Sequence, residues 1–403
     1  MRSFTNRQLF QKFLAPTSDS PLALEIVKAK GIYLYDQEGK SYIDLISGIA
    51  VSNVGHRNKK IISAIKKQLD KYMHLMVYGE YIQSPQVLLA QALVNSTKTS
   101  TLNQVYFTNS GTEAVEGAMK MAKRYTGRTD FISCINAYHG SSQGALSLAG
   151  DENFKNSFRP LLPNITHITY GNEDDLVHIN HKTAAIIIEI IGGESGVRQA
   201  SKSYFKALRK RCDETETLLI VDEIQTGFGR TGTFWAYESM EIVPDVLLTA
   251  KGMGGGMPIG AFIAHEKIMK SLSFNPVLGH ITTFGGHPVN CAASLATLNY
   301  IIDENLLVDI PPKSQLFKSL LVHPLIKEVR AVGLMIAVEY ENFEIIQKII
   351  AKCLKSGLIT DWFLFCNNSL RIAPPLIITK KEIKIACKII LQATHEVEKE
   401  IKS

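Results

Sequence analysis

Short apolar runs alternate with amphipathic stretches through the middle of the 403-residue chain. In one such stretch, Val115, Ala118 and Ala122 recur at helical spacing and lie on one face of a predicted helix. Strands that alternate with helices predict a largely parallel sheet, covered by helices on both faces. The apolar runs that we predict as strands of this sheet are 105–107, 131–132, 185–188, 218–221, 246–248 and 261–264.

The two ends of the chain have a different pattern. Apolar residues on both sides of the turn 36–39 predict a hairpin. The sequence after about residue 295 predicts short strands and a long final helix. The fold class is therefore predicted as α/β, with a large domain at residues 56–294. A smaller α+β domain would be built from both ends of the chain, residues 1–55 and 295–403.

Composition narrows the class of protein. Hydrophobic residues make up 45% of the chain and charged residues 20%, which is ordinary for a globular protein. The formal net charge of +6 is modest and the two signs alternate, so we expect solvated surface and no nucleic-acid partner. No apolar run is long enough to span a bilayer and residues 1–16 lack a signal-peptide core, so we expect a cytoplasmic protein. The six cysteines form no C-x-x-C pair, which favours reduced, buried side chains.

The first candidate site follows the strand predicted at 105–107. Ser110 and Glu113 fit the capping-box pattern S-x-x-E, which predicts the start of a helix. Free N–H groups at that start, close approach at Gly111 and the hydroxyls of Ser110 and Thr112 would suit a phosphate. A well-capped helix without a ligand accounts for the same residues, so this motif is weak when taken alone.

The second candidate is Asp222, at the end of the predicted strand 218–221. Open parallel sheets bind their ligands at the carboxyl ends of the strands. A carboxylate at this position would keep a heterocyclic nitrogen protonated, and Gln225 would reach the same ligand. The alternative is that Asp222 caps a following helix. The glycine-rich segment 227–232 predicts a loop nearby.

The third candidate is Lys251, which follows the predicted strand 246–248 and opens a glycine-rich turn. A charged lysine at so apolar a position is costly unless it is paired or chemically used. Desolvation lowers the pKa of a lysine and frees the neutral amine for Schiff-base formation. The glycines of this turn match neither the dinucleotide-binding nor the P-loop pattern.

Taken together, these motifs resemble the class-III aminotransferases, the ornithine, acetylornithine and 4-aminobutyrate type of the fold-type-I pyridoxal phosphate enzymes. The resemblance covers residues 32–378, which is nearly the whole chain. Besides the motifs already described, it rests on residues 47–51, 55–56, 138–140, 189–197, 282–286 and 371–375.

The resemblance implies a site for pyridoxal 5′-phosphate in a homodimer with shared active sites. The phosphate would be held by Ser110, Gly111 and Thr112, with Thr283 contributed to the neighbouring subunit. Tyr138 would stack on the pyridine ring, and Gln225 would contact the ring hydroxyl. Asp222 would bind the protonated ring nitrogen and strengthen the ring as an electron sink.

The resemblance also implies a reaction. Lys251 would hold the cofactor as an internal aldimine and, once displaced by substrate, would shuttle the proton. Glu194 and Arg371 would form a gate in which the arginine binds an α-carboxylate. The implied activity transfers an amino group from an ω-amino acid, of acetylornithine or ornithine type, to 2-oxoglutarate.

Two positions depart from the pattern of the family. Gly192 stands where many members have glutamine, and we expect this change to loosen a loop near the gate. Ser141 stands where the ornithine and 4-aminobutyrate members usually have an arginine that binds the carboxylate of the donor. The identity of the amino donor therefore stays open.

Two alternatives to an aminotransferase stay open as well. An aminomutase, racemase or decarboxylase would use the same cofactor site, but the pair Glu194 and Arg371 suits two substrates that share one pocket. A catalytically silent protein of this fold is disfavoured because Asp222, Gln225 and Lys251 are all present. Three histidines are interpreted as structural hydrogen-bonding residues and not as catalysts: His56, His139 and His287.

Overall fold

The computed structural model describes residues 4–402. The strands in this range are β1 (Ile26–Lys30), β2 (Tyr33–Asp36), β3 (Ser41–Asp44), β4 (Gln104–Thr108), β5 (Asp130–Cys134), β6 (Ile165–Ile168), β7 (Thr183–Glu189), β8 (Ile191–Gly192), β9 (Arg198–Gln199), β10 (Leu218–Asp222), β11 (Val246–Thr249), β12 (Gly260–Ala264), β13 (Glu328–Val332), β14 (Met335–Glu339), β15 (Leu358–Ile359), β16 (Asp361–Phe363) and β17 (Cys366–Ile372). The helices are α1 (Asn6–Phe13), α2 (Ser47–Ala50), α3 (Lys59–Leu69), α4 (Ser84–Ser96), α5 (Gly111–Thr126), α6 (Gln143–Ser147), α7 (Lys202–Thr215), α8 (Glu266–Met269), α9 (Pro288–Asp303), α10 (Ile310–Leu320), α11 (Phe343–Lys355) and α12 (Lys380–Lys402).

A seven-stranded sheet forms the centre of the molecule, in the order β4-β12-β11-β10-β7-β5-β6. Strand β12 runs antiparallel to both of its neighbours, and the other neighbouring strands are parallel. Each of the six apolar runs predicted as strands falls within one of these strands, whereas β6 was not predicted. The predicted α/β class with a mostly parallel sheet is therefore confirmed.

The inner strands of this sheet are apolar because both of their faces are covered. Every residue of β7, β10, β11 and β12 is buried. Helix α5 packs on the sheet through the predicted face, with Val115, Ala118 and Ala122 fully buried. Burying one aliphatic side chain contributes about 1.5–3 kcal/mol to the free energy of unfolding. Because these strands bury many such side chains, the sheet is a stable support for the loops at its carboxyl edge.

Residues from both ends of the chain share a second hydrophobic core. The predicted hairpin is present as β2 and β3, and β15 adds to it in parallel, with Leu358 paired to Ile43. A separate sheet has the order β13-β14-β17-β16. Ile43 belongs to the same buried cluster as Ile346 and Ile390 of the last helices. The domain boundaries at residues 55 and 294 stay a prediction.

Charge is distributed less evenly than the sequence predicts. A groove of about 570 Å³ between β1 and α3 is lined by the side chains of Lys28, Lys30, Arg57, Lys59, Lys66 and Lys67. Asp70 is the one acidic residue among the described residues that line it. The fold thus brings together basic residues from two separate segments of the sequence, which the alternation of charge along the chain does not predict.

Two expectations concern the chain as a whole. Between residues 4 and 402, no helix combines the length and the apolar character needed to cross a bilayer. The cytoplasmic location stays a prediction. All six cysteines are free, and five of them are buried, while Cys366 is partly buried.

Candidate active site

A cavity of about 440 Å³ opens at the carboxyl ends of the parallel strands. Eight of the ten predicted site residues line it: Ser110, Gly111, Thr112, Tyr138, Glu194, Asp222, Gln225 and Lys251. The other two, Thr283 and Arg371, are not among its lining residues. Because parallel strands end at the same edge of a sheet, residues distant in sequence meet here.

Helix α5 begins at this cavity. The hydroxyl of Ser110 accepts a hydrogen bond from the N–H of Glu113 at 3.3 Å, as a helix cap does. The carboxylate of Glu113 accepts from the backbone and side chain of Asn109, both at 2.9 Å. The predicted capping box is therefore only half formed, because Glu113 reaches one residue further back than Ser110. The first-turn N–H groups of Gly111 and Thr112 have no acceptor within the helix and are available to an anion.

Two glycines let the backbone close around this helix start. A Cβ on Gly111 would lie 2.8 Å from Cδ1 of Ile224. A Cβ on Gly140 would overlap the hydroxyl of Thr112, and Gly140 has φ of +128°. The hydroxyl of Thr112 lies 2.6 Å from that of Ser142. The helix start is thus a compact cradle without side-chain bulk.

We expect Gly140→Ala to lower the free energy of unfolding by about 2–5 kcal/mol, because left-handed backbone and overpacking both oppose the new methyl group. Gly127→Ala is the matched control, since Gly127 also has positive φ (+69°) but open space around it. The control should lose about 1–2 kcal/mol. Urea denaturation of both variants measures the difference, and equal losses would show that the overlap with Thr112 is unimportant.

Asp222 ends β10 and is buried on the cavity floor. One carboxylate oxygen accepts from the N–H of Ile224 at 2.9 Å, and the other lies 2.7 Å from Nδ1 of His139. Burial disfavours the charged ring of His139, but the hydrogen bond and the charge of Asp222 raise its pKa overall. Residues 224–231 form turns and no helix follows Asp222 directly, so the alternative that Asp222 caps a helix is wrong.

Glu189 was missed by the sequence analysis. It ends β7, is paired with Asp222 across the two parallel strands, and lines the cavity. Its carboxylate accepts from the N–H of Gly193 at 3.0 Å. Burial raises the pKa of Glu189 to about 7, with His139 opposing the rise. The rule that singled out Asp222, a carboxylate at the carboxyl end of a buried strand, would have found Glu189 as well.

Tyr138 and Gln225 lie on the walls of the cavity. Burial raises the pKa of Tyr138, and a hydrogen bond with Ser141 opposes that rise. Nε2 of Gln225 lies 3.5 Å from Oε1 of Glu194. A side chain at Gly193 would overlap the amide of Gln225, so this glycine leaves room for the glutamine.

Lys251 begins a tight turn two residues after β11 and has left-handed backbone, with φ of +42°. Burial lowers the pKa of its amine, and Arg371 lowers it further, against the opposing charges of Glu194 and Asp222. Among residues 4–402, no hydrogen bond or ion pair holds this amine. Burial thus favours the neutral form of this unpaired amine, which is the form that attacks a carbonyl carbon.

Glu194 and Arg371 form a buried, two-pronged ion pair. Nη1 of Arg371 lies 2.8 Å from one carboxylate oxygen, and Nη2 lies 2.7 Å from the other. Leu364 also donates its N–H to Glu194, at 3.1 Å. Burial alone would raise the pKa of Glu194, but the positive charge and the hydrogen bonds of Arg371 lower it overall. Glu194 lines the cavity and Arg371 does not, so the carboxylate lies between the cavity and the guanidinium.

The expected loosening at Gly192 is not what the structure shows. Gly192 belongs to β8, is buried, and pairs with Arg198 of β9. Its carbonyl accepts from the N–H of Val197 and the hydroxyl of Ser195, both at 3.1 Å. A Cβ at Gly192 would overlap that hydroxyl. The glycine therefore makes room for a side chain that ties the hairpin together.

The remaining predicted residues lie outside the cavity. Thr283 is exposed, and its predicted contact with a neighbouring subunit stays a prediction. Nε2 of His56 lies 2.8 Å from Asp44, and Nδ1 of His287 accepts from the N–H of Val289 at the start of α9. These two histidines hydrogen-bond within the fold, as predicted.

Comparison with known proteins identifies the class. The sequence pattern of the family described as aminotransferase class-III matches residues 14–394. An acetylornithine aminotransferase of Aquifex aeolicus is 39% identical over 375 residues, which cover 92% of this chain and 96% of that protein. The mitochondrial acetylornithine aminotransferase of Alnus glutinosa is 38% identical over 381 residues, which cover 91% and 82%. The chain therefore belongs to the class-III aminotransferases.

Solved structures share the fold. The ornithine aminotransferase from Toxoplasma gondii matches with a TM-score of 0.91 at 28% identity, over 98% of this chain and 94% of that one. That protein has PLP at partial occupancy in its active site. A transaminase from the marine bacterium Virgibacillus matches with a TM-score of 0.91 at 26% identity, over 98% of both chains. The predicted fold-type-I transaminase architecture is confirmed.

Proposed function

We propose that this aminotransferase moves an amino group from an ω-amino acid, of acetylornithine or ornithine type, to 2-oxoglutarate. The observation that carries the proposal is the buried ion pair of Glu194 and Arg371 beside the cavity that holds Lys251. An arginine whose two N–H groups already hold a carboxylate can exchange it for the carboxylate of a substrate. The names of the relatives support the acetylornithine type.

We propose pyridoxal 5′-phosphate as the cofactor, since three parts of the cavity fit its three chemical groups. The start of α5 with its two glycines fits the phosphate. Asp222 fits a protonated ring nitrogen, and the free amine of Lys251 fits the aldehyde. When bound, this cofactor supplies a carbonyl that condenses with amines and a ring that accepts an electron pair.

Lys251 is the proposed base. Once substrate has displaced it, its amine would take the proton from the substrate carbon that carries the nitrogen and would deliver it to the former carbonyl carbon of the cofactor. Burial supports this role, because a depressed pKa keeps the amine neutral closer to ordinary working pH. His139 keeps Asp222 in place through the 2.7 Å contact and acts only through that carboxylate.

Glu194 and Arg371 let one cavity accept two substrates. A donor that reacts through its distal amine has no carboxylate on the reacting carbon, so Glu194 stays on Arg371 and neutralises it. 2-Oxoglutarate has a carboxylate there, which displaces Glu194 and binds both prongs of the guanidinium. Ser141 lines the cavity but offers no charge to the far carboxylate of the donor.

A substrate panel tests the proposed function. Purified holoenzyme is given acetylornithine, ornithine, 4-aminobutyrate or a diamine, each with 2-oxoglutarate or pyruvate, and the amino acid formed is measured. We expect glutamate from 2-oxoglutarate with at least one ω-amino donor. Racemisation, decarboxylation or internal amino migration without glutamate would support the other pyridoxal phosphate chemistries instead.

We further propose a homodimer, and exposed apolar side chains support it. Ile82 is 96% exposed and Phe284 is 53% exposed. The ring of Phe284 lies 4.9 Å from that of His74, so the segment that contains Thr283 packs beside the segment that contains His74. Exposed apolar faces of this kind are typical of subunit interfaces.

We expect a dimer in sedimentation equilibrium and an effect of Thr283→Ala on the cofactor. Loss of one hydroxyl donor to a charged phosphate should weaken cofactor binding by about 1.5–3 kcal/mol, without dissociating the dimer. Thr166→Ala, which removes an exposed hydroxyl from β6 at the edge of the central sheet, is the control. A monomer with full activity and unchanged cofactor affinity would contradict the shared site.

A further inference from the structure

A second carboxylate, outside the predicted set of site residues, contacts Arg371. Asp361 is the first residue of β16 and pairs directly with Arg371 of β17 in the antiparallel ladder. Its Oδ1 lies 3.1 Å from Nε of Arg371. The guanidinium therefore has two acidic partners. Glu194 binds its two terminal nitrogens, Nη1 and Nη2, which are called its prongs below, and Asp361 contacts Nε on its inner edge.

The remaining contacts of Arg371 come from the same hairpin as Asp361. Nη2 also donates to the carbonyl of Trp362 at 2.9 Å. The ring of Phe363 lies 4.6 Å from the guanidinium carbon and covers one of its faces. Together with Asp361, these contacts use the inner edge and one face of the guanidinium. Glu194 alone binds Nη1 and Nη2 at the same time, and it belongs to a different segment of the chain.

This division of contacts matters when Glu194 leaves. A buried guanidinium that loses its only counter-ion would be left uncompensated, which is strongly unfavourable. Asp361 remains on the inner edge, so Arg371 keeps one counter-ion and its orientation while the prongs are free. Burial raises the pKa of Asp361 to about 6, and Arg371 opposes that rise.

We propose that Asp361 is a positioning residue, which holds Arg371 while Glu194 gives way to the α-carboxylate of the acceptor. The inference rests on the proposed function. It deepens that function, because Arg371 must keep its orientation while one carboxylate replaces another on its two terminal nitrogens. Without Asp361, that side of the guanidinium would be held only by the carbonyl of Trp362 and the ring of Phe363.

Asp361→Asn keeps the shape of the side chain and removes its charge. We expect glutarate, an unreactive dicarboxylate, to bind the holoenzyme about 10-fold more weakly by calorimetry. The half-reaction with 2-oxoglutarate should lose a similar factor in kcat/KM, chiefly through KM. The half-reaction with the amino donor should change less than about twofold, because Glu194 stays on Arg371 throughout it.

Asp245→Asn is the matched control. Asp245 also pairs with an arginine, at 2.8 Å from Nη1 of Arg209, but it lies at the amino edge of the central sheet. This variant should bind glutarate like the parent. If both variants weaken glutarate binding equally, the effect is general destabilisation and the proposal fails.

A double-variant comparison separates an effect on the orientation of Arg371 from an effect on Glu194. In a Glu194→Gln background the competing charge is gone but Arg371 still has to be held, so adding Asp361→Asn should again weaken glutarate binding by about 10-fold. Weakening that disappears in this background, or unchanged binding in Asp361→Asn alone, would overturn the proposal. The proposed function fails separately, if the parent enzyme forms no glutamate from 2-oxoglutarate with any donor.

Discussion

Lys251→Ala is expected to abolish multiple turnovers of amino transfer. Loss of a positioned base alone costs about 10²–10⁴-fold in rate. The variant also loses the amine that links the cofactor to the protein, so the visible absorption band of that linkage should disappear. Glutamate formation over many turnovers and the visible spectrum of the purified variant are the two measurements.

Lys267→Ala is the control for this result, because Lys267 is an exposed lysine of α8 that does not line the cavity. It should keep both activity and spectrum. Added small primary amines should restore part of the proton transfer in Lys251→Ala, since the cavity left behind is lined by the intact Asp222 and Gln225. Substantial turnover in Lys251→Ala without added amine would remove Lys251 from its proposed role.

Arg371→Ala is expected to damage mainly the half-reaction with the oxo acid. The lost charge-assisted, two-pronged contact should cost about 2–4 kcal/mol in kcat/KM, less the gain from releasing Glu194. The half-reaction with the amine should suffer less, because the donor has no carboxylate at this position. Single-turnover absorbance, followed first with donor and then with 2-oxoglutarate, measures the two halves separately.

The stability of this variant needs its own control. Removing Arg371 leaves the buried carboxylate of Glu194 and the partly buried one of Asp361 without their cation, which is itself destabilising by about 3–5 kcal/mol. Arg371→Ala combined with Glu194→Gln removes part of that penalty while the contact with the oxo acid stays lost. Equal losses in both half-reactions, in the single and the combined variant, would mean that the gate does not operate here.

Much of the site could be predicted because parallel strands converge at one edge. Asp222 and Lys251 each follow a buried apolar run, so their meeting follows from the sheet alone. Glu189 obeys the same rule and was overlooked. The signal for β6 was weaker, since that strand has a partly exposed, alternating pattern.

Other features depend on register and on contacts that a linear pattern does not contain. Asp361 faces Arg371 only because β16 and β17 pair with an irregularity between Trp362 and Phe363. A hairpin of this kind cannot be aligned by counting residues. The tight packing at Gly192 likewise depends on the hydroxyl of Ser195, so a glycine that suggested mobility is held in a bonded hairpin.

The parallel pairing of β15 with β3 has a consequence for how the protein is made. Leu358 and Ile43 are partners that stand 315 positions apart in the sequence. At a synthesis rate of about 5–20 residues per second, the open edge of β3 waits roughly 15–60 s for its partner. During that time the nascent chain presents an unpaired strand, with Ile43 not yet covered by the C-terminal helices. The emerging N-terminal hairpin is therefore a segment that a chaperone on the ribosome would protect until the C-terminal residues are made.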